Sequence, residues 1–291
     1  MLRAGAVAGT SQRARMRHAS GTTLNYVRRG SGEPVLLLHG IGGELCVWEP
    51  VMEPLARERD VVAVDLPGFG HSPPLPATVT PTPWALAAAV SVFLSTLGFD
   101  SVHVVGNSLG GWVALEMARS GHARSVVGLC PAGLWGAPLL PAGGTPRGRT
   151  HRVARELSPL LPLVLLSRHA RRLALGPFVA NPDNVPYRAA QRMVSSYARA
   201  TAYDATNTAM RQGYFRGADE IKGPILLGFG EYDRLVRPVS LDLAGARSVI
   251  LEGCGHIPMW DDPALVSQLI LQGTDSASLT APRGTPSSGD R

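Results

Sequence analysis

The sequence predicts an α/β fold: a mostly parallel central sheet flanked by helices, with an inserted helical cap. Three observations predict it. Six short apolar runs of strand length lack the in/out alternation of half-exposed strands, the pattern of strands buried on both faces. Apolar stripes at helical spacing fall between most of them, and that alternation builds a doubly wound sheet. One long stretch, 132–216, interrupts the pattern with many prolines and no convincing strand.

The elements follow in chain order. Thr22 to Arg28 reads as an antiparallel edge strand. Val35 to Leu38 is the first core run and ends in His39-Gly40-Ile41-Gly42-Gly43. Val47, Trp48, Val51, Met52 and Leu55 then make one helical stripe, with Pro50 near its start and Pro54 as a kink. Val61 to Val64 runs into Asp65-Leu66-Pro67-Gly68-Phe69-Gly70, and Trp84 to Leu97 is helical. Val102 to Val105 ends in Gly106-Asn107-Ser108-Leu109-Gly110-Gly111, and the helix Leu109 to Arg119 follows. Ser125 to Cys130 is the fourth core run. Beyond the insertion, Pro224 to Phe229 ends in Gly230-Glu231-Tyr232-Asp233. Ser248 to Leu251 leads to Gly253-Cys254-Gly255-His256, and Pro263 to Leu271 is the last helix. The expected organisation is a disordered tail over 1–20, a core formed by 21–131 and 217–272, a helical cap over 132–216, and a second disordered tail over 273–291.

Composition narrows the class. The 291 residues are 45% hydrophobic, enough for a large core. No apolar run reaches the length needed to span a bilayer; the longest, Leu157 to Leu166, is broken by Ser158, Pro159 and Pro162. The three cysteines, Cys46, Cys130 and Cys254, are odd in number and form no CxxC pair, which argues against a disulfide framework or a zinc ribbon. They read as buried reduced thiols of a cytoplasmic protein, with no metal and no cofactor expected. The net charge of +6 is concentrated in the insertion, without any nucleic-acid-binding motif, so a small-molecule substrate and no nucleic acid partner are expected. The arginine-rich first 20 residues lack the continuous apolar core of a secretory signal.

The polar punctuation lies just after the strand runs, where ligands bind in an open parallel sheet. Gly106-Asn107-Ser108-Leu109-Gly110 matches G-x-S-x-G between a strand and a helix. Such a sharp turn exposes the Ser108 hydroxyl and aims the Leu109 N–H at the space above it. Asp233 and His256 follow later strand runs, and the order Ser108, Asp233, His256 is that of one class of catalytic triad. The Gly-rich loop after the first run supplies a second oxyanion donor, Ile41 N–H, with Gly42 next.

Together His39-Gly40, Asp65 to Ser72, Gly106 to Gly111, Gly230 to Asp233 and Gly255-His256 resemble the α/β-hydrolase-fold superfamily with a lid. The resemblance covers about Thr22 to Gln272. It implies a serine hydrolase acting through an acyl-enzyme, with Asp65 to Ser72 as a structural turn. Relatives that open epoxides or remove halides carry Asp where this chain has Ser108, which disfavours those activities. The Gly-Asn-Ser-Leu-Gly-Gly elbow resembles that of carbon–carbon bond hydrolases, the alternative reading. Those relatives usually carry Trp after the catalytic His, where this chain has Ile257, and a richer glycine loop than Gly-Ile-Gly-Gly. A ligand-binding protein with slow or no turnover is the alternative from another class. Leu161, Leu165 and Trp135 are the expected substrate contacts in a largely apolar site. No membrane association is expected, because Pro159 and Pro162 interrupt any long surface helix. Oligomeric state is left open.

Overall fold

In the computed structural model of the chain, the described residues are 12–14, 23–141, 143–144, 150–236, 243 and 245–275. They build one eight-stranded sheet from β1 (Gln12–Ala14), β2 (Tyr26–Gly30), β3 (Pro34–Leu38), β4 (Asp60–Val64), β5 (Val102–Asn107), β6 (Ala123–Leu129), β7 (Ile225–Gly230) and β8 (Ala246–Leu251). The spatial order is β1-β2-β4-β3-β5-β6-β7-β8. From β4 onward every pairing is parallel, while β1 on β2 and β2 on β4 are antiparallel.

The unbroken apolar runs are explained by the pleat. Successive side chains point to opposite faces of the sheet, and here both faces are covered. Leu36, Leu38, Val62, Val64, Val104 and Val126 point to the face holding α2 (Pro83–Thr96) and α3 (Leu109–Arg119). Val35, Leu37, Val61, Ala63, Val105 and Val127 point to the face holding α1 (Glu49–Ala56) and α9 (Pro263–Gly273). A short 3₁₀ turn, Leu45–Trp48, precedes α1 and divides the stripe expected as one helix. The helix starts are set locally: Thr82 accepts from Ala85 N at the head of α2, and Asp262 from Leu265 N at the head of α9.

Between β6 and β7 the described residues contain no strand and five α-helices, α4 (Thr150–Glu156), α5 (Leu161–Val164), α6 (Arg168–Leu175), α7 (Tyr187–Arg199) and α8 (Tyr203–Gln212), with two short 3₁₀ turns. Among the described residues no helix is long and apolar enough to cross a membrane.

Both expected tails need correction. Gln12–Ala14 lies inside the stretch read as disordered, yet it forms a strand against β2, whose outer edge otherwise leaves backbone groups unpaired. At the other end α9 continues through Gly273, and Thr274 is fully buried, its Oγ1 donating to Ile270 O. The rest of 1–20, and 276–291, lie outside the described residues.

Candidate active site

The site forms where the order of the strands reverses, at the carboxyl ends of β3 and β5. Ser108 stands between β5 and α3 with φ 56° and ψ −116°. A left-handed φ in a non-glycine residue costs on the order of 1–3 kcal/mol and persists only where its surroundings over-determine it. They do so here. Ser108 N donates to Leu129 O (3.0 Å), and Ser108 O accepts from Gly111 N (3.0 Å) and Ala132 N (2.9 Å). The glycines are required by close approach: a Cβ on Gly106 would lie 2.1 Å from Gly110 O, and one on Gly110 would lie 2.2 Å from Leu38 O.

His256 lies in the loop after β8 and Asp233 in the loop after β7. His256 Nδ1 and Asp233 Oδ2 are 2.8 Å apart, with both side chains at most 6% exposed. Asp233 Oδ1 accepts from Leu235 N and Val236 N. Burial pushes the Asp233 carboxyl up, but the His256 hydrogen bond and charge, with those two backbone donors, outweigh it and hold the carboxyl below its usual range. An ionised acid at Nδ1 makes that nitrogen the donor and leaves Nε2 as the basic one.

Asn107, which the sequence reading passed over, joins the loops. Its Nδ2 donates to His256 O (2.8 Å) and Leu129 O (3.0 Å), so the residue before Ser108 anchors the backbone of the histidine. Its side-chain amide just before the elbow was the available signal. Asp261 was also missed as a brace. Its carboxylate accepts from Gly255 N in the His256 loop and from Ala180 N and Asn181 N in the insertion.

The Gly-rich loop lies against the elbow: a Cβ on Gly40 would be 3.1 Å from Ser108 Cβ. Gly43 N donates to Gly40 O (3.0 Å), and Gly42 has φ 74°, so Ile41 and Gly42 are the central residues of a tight turn whose closing bond uses neither of their N–H groups. Leu109 is the first residue of α3, where no intrahelical acceptor exists for its N–H. His39 braces the loop from below. It is fully buried, Nε2 accepts from Leu66 N (2.9 Å) and Nδ1 meets Gly40 O (2.7 Å). That pairing requires the neutral Nδ1–H tautomer, and burial pulls its pKa down accordingly. Asp65 is fully buried and takes Leu45 N, His71 N and Asn25 Nδ2, the structural turn expected of it.

The expected substrate contacts fare differently. Leu161 and Leu165 form a small cluster with Ala198 inside the insertion, because they occupy the inward side of α5 and its following turn. Trp135 packs edge-on against Trp112, with ring centroids 5.6 Å apart, and donates to Gly213 O (2.9 Å). All three are accounted for by packing. The insertion reaches the Gly-rich loop through Tyr197 and Tyr203 instead: a Cβ on Gly42 would meet their rings at 2.6 and 3.3 Å. Buried His151 stacks on Tyr203, 4.4 Å between centroids.

Cys130 sits at the end of β6 with φ 47°. Its Sγ accepts from Gly230 N (3.3 Å) and donates to Gly255 O (3.6 Å), and it lies within 4.8 Å of ligand atoms of both Asp233 and His256. Burial, and then the Asp233 charge, pushes this thiol well up. A protonated thiol satisfied by backbone is a poor metal ligand, so this trio fits an acid–base pair with a packing neighbour better than a metal centre.

Fold, elbow and acid–histidine pair define the class, and the chain belongs to the alpha/beta hydrolase fold family, matched over residues 33–263. The epoxide hydrolase EphH of Mycobacterium tuberculosis is 33% identical over 211 residues, 64% of this chain and 91% of that protein. The pimeloyl-[acyl-carrier protein] methyl ester esterase of Aeromonas hydrophila is 29% identical over 261 residues, 85% and 98% of the two chains. Among solved structures, the 2-hydroxy-6-oxo-6-phenylhexa-2,4-dienoate hydrolase of Rhodococcus sp. strain RHA1 superposes with a TM-score of 0.70 over 92% of this chain and 99% of that one, at 21% identity. That last likeness is one of fold.

Proposed function

We propose that the protein is a serine hydrolase cleaving a carboxylic ester, or a related acyl bond, of a small and largely apolar substrate. The observation that carries the reading is the buried Asp233–His256 hydrogen bond, tied through Asn107 to a strained elbow bearing Ser108. His256 Nε2 takes the Ser108 proton as Oγ attacks the carbonyl carbon. Ile41 and Leu109 N–H groups receive the oxyanion, with Gly42 N–H as the neighbouring candidate. Protonated His256, held by Asp233, returns the proton to the leaving group. Water deprotonated by His256 then releases the acyl group and restores Ser108. No metal or cofactor enters these steps. The insertion over 132–216 acts as a cap on the site, through Tyr197 and Tyr203 rather than Leu161 and Leu165.

A serine at position 108 favours acyl chemistry over epoxide opening, which the family's resemblance associates with an aspartate there. The elbow sequence keeps carbon–carbon bond hydrolysis as the second reading. A panel of p-nitrophenyl esters of rising chain length, run beside a ring-fission dienoate, separates the two. Ester turnover without dienoate cleavage supports the esterase; the reverse promotes the alternative. A fluorophosphonate probe should label wild type and leave Ser108→Ala unlabelled and slower by several orders of magnitude. A folded wild type that takes no label would return the site to ligand binding alone.

A further inference from the structure

We propose that the outer face of the inserted helices docks on the surface of an anionic lipid bilayer. This revises the expectation of no membrane association, and it stands independently of the reaction. The prolines that argue against a long surface helix leave a short ridge of turns around α5 instead. Leu160 N, Leu163 N and Leu166 N each donate to the carbonyl three residues back, on Leu157, Leu160 and Leu163, at 2.9, 3.0 and 3.2 Å. Leu161 N, Val164 N and Leu165 N bond four residues back, on Leu157, Leu160 and Leu161, so both kinds of turn mix around α5. Leu157, Leu160, Leu163, Val164 and Leu166 are 48, 53, 68, 49 and 62% exposed, while Leu161 and Leu165 are buried. The segment is folded, since Leu161 and Leu165 pack inward against Ala198. It is thus apolar on both sides, and the outer leucines neither wall the site nor hold the insertion to the sheet. Four leucines and a valine exposed within one short segment exceed the isolated apolar residues that any surface carries.

Charge identifies the occupant. Residues 150–175 hold five arginines against one acid, Glu156. Arg155 is exposed just before the ridge. After it, Arg171 Nη1 donates to Leu165 O (2.9 Å) and Leu166 O (3.1 Å), which fixes a cation at the end of the ridge. Arg168 and Arg172 follow on α6 and share the single carboxylate of Asp183, leaving an excess of positive charge. An apolar ridge with cations at both ends can place leucines at the acyl boundary and guanidinium groups among anionic headgroups. A second copy of the chain fits less well, because pairing ridge to ridge would press two arginine-rich flanks together.

The test is co-sedimentation of the full chain with vesicles of phosphatidylcholine alone and of phosphatidylcholine with phosphatidylglycerol, at low and high salt. Circular dichroism serves as the folding control, so the outcome is separate from any result on ester turnover. Binding is expected on the anionic vesicles, weakened about tenfold or more by high salt and by Leu163→Ser/Leu166→Ser, and weakened also by Arg155→Gln/Arg168→Gln. Protein that stays in the supernatant in every condition overturns the proposal. So does binding that the leucine pair leaves unchanged. Self-association that the leucine pair abolishes, without vesicle binding, would assign the ridge to a second copy and overturn it equally.

Discussion

At the scale of single residues, the Asp233–His256 pair sets the sharpest expectations. Asp233→Asn should keep the fold and lower turnover by about 10⁴-fold, because an amide favours the wrong imidazole tautomer. The same substitution has a pH signature in stability. The Asp233 carboxyl is held below its ordinary value in the fold. Its contribution is therefore fully present above the unfolded value, about 3.9, and is lost as pH falls through the folded value. Urea titrations should show a stability gap between wild type and Asp233→Asn that is constant from about pH 7 to pH 5 and closes below about pH 4. Asn107→Ala removes a donor from the buried carbonyls of His256 and Leu129. A cost of about 1–3 kcal/mol in stability is expected, with kcat falling more than KM rises. An unchanged kcat would show that Asn107 matters to folding alone.

At the scale of elements, the turns were harder to read than the strands. The parallel runs were legible because strands buried on both faces need apolar residues at every position, and their β-branched residues and glycine-rich ends mark them as strands. The elbow was legible because its glycines are forced. Gly110→Ala would drive a methyl into the Leu38 carbonyl at 2.2 Å. Thermal unfolding should show a severe loss or no folded protein, whereas Gly121→Ala, with nothing within 4 Å of its Cβ position but φ 83°, should cost far less. The insertion was the least legible part. A leucine-rich stretch carries the same signal whether it faces a core or the solvent, and Leu160 and Leu161, adjacent in sequence, end on opposite sides. Ionic and backbone braces such as Asp261 leave no periodic trace, so they emerged only from the fold.

At the scale of the whole molecule, the three cysteines are free and buried. Burial pushes the thiols up, that of Cys254 to about 12. Titration with an aromatic disulfide reagent at about pH 8 should find essentially no reactive thiol in the native protein and three after denaturation, since the thiolate is the reacting species. Fast reaction at any one of them in native protein would reveal local opening. Placement of Ser108, Asp233 and His256 beyond three strand ends was legible from chain order alone. The faces of the insertion were not, because the sequence does not say which of its apolar surfaces has a partner.

The Asp261 carboxylate has a mechanical consequence. It clasps Gly255, beside His256, and Ala180 and Asn181, within the insertion, in one grip. In the proposed reaction the insertion could not rise as a rigid plate without tearing that grip and loosening the loop that carries His256. Substrate entry that leaves the proposed base in register would therefore swing the far side of the insertion, with residues 180–181 as the fulcrum. On that reading one carboxylate sets which side is the door and which is the hinge, and a door hung that way can stand open while His256 remains aimed.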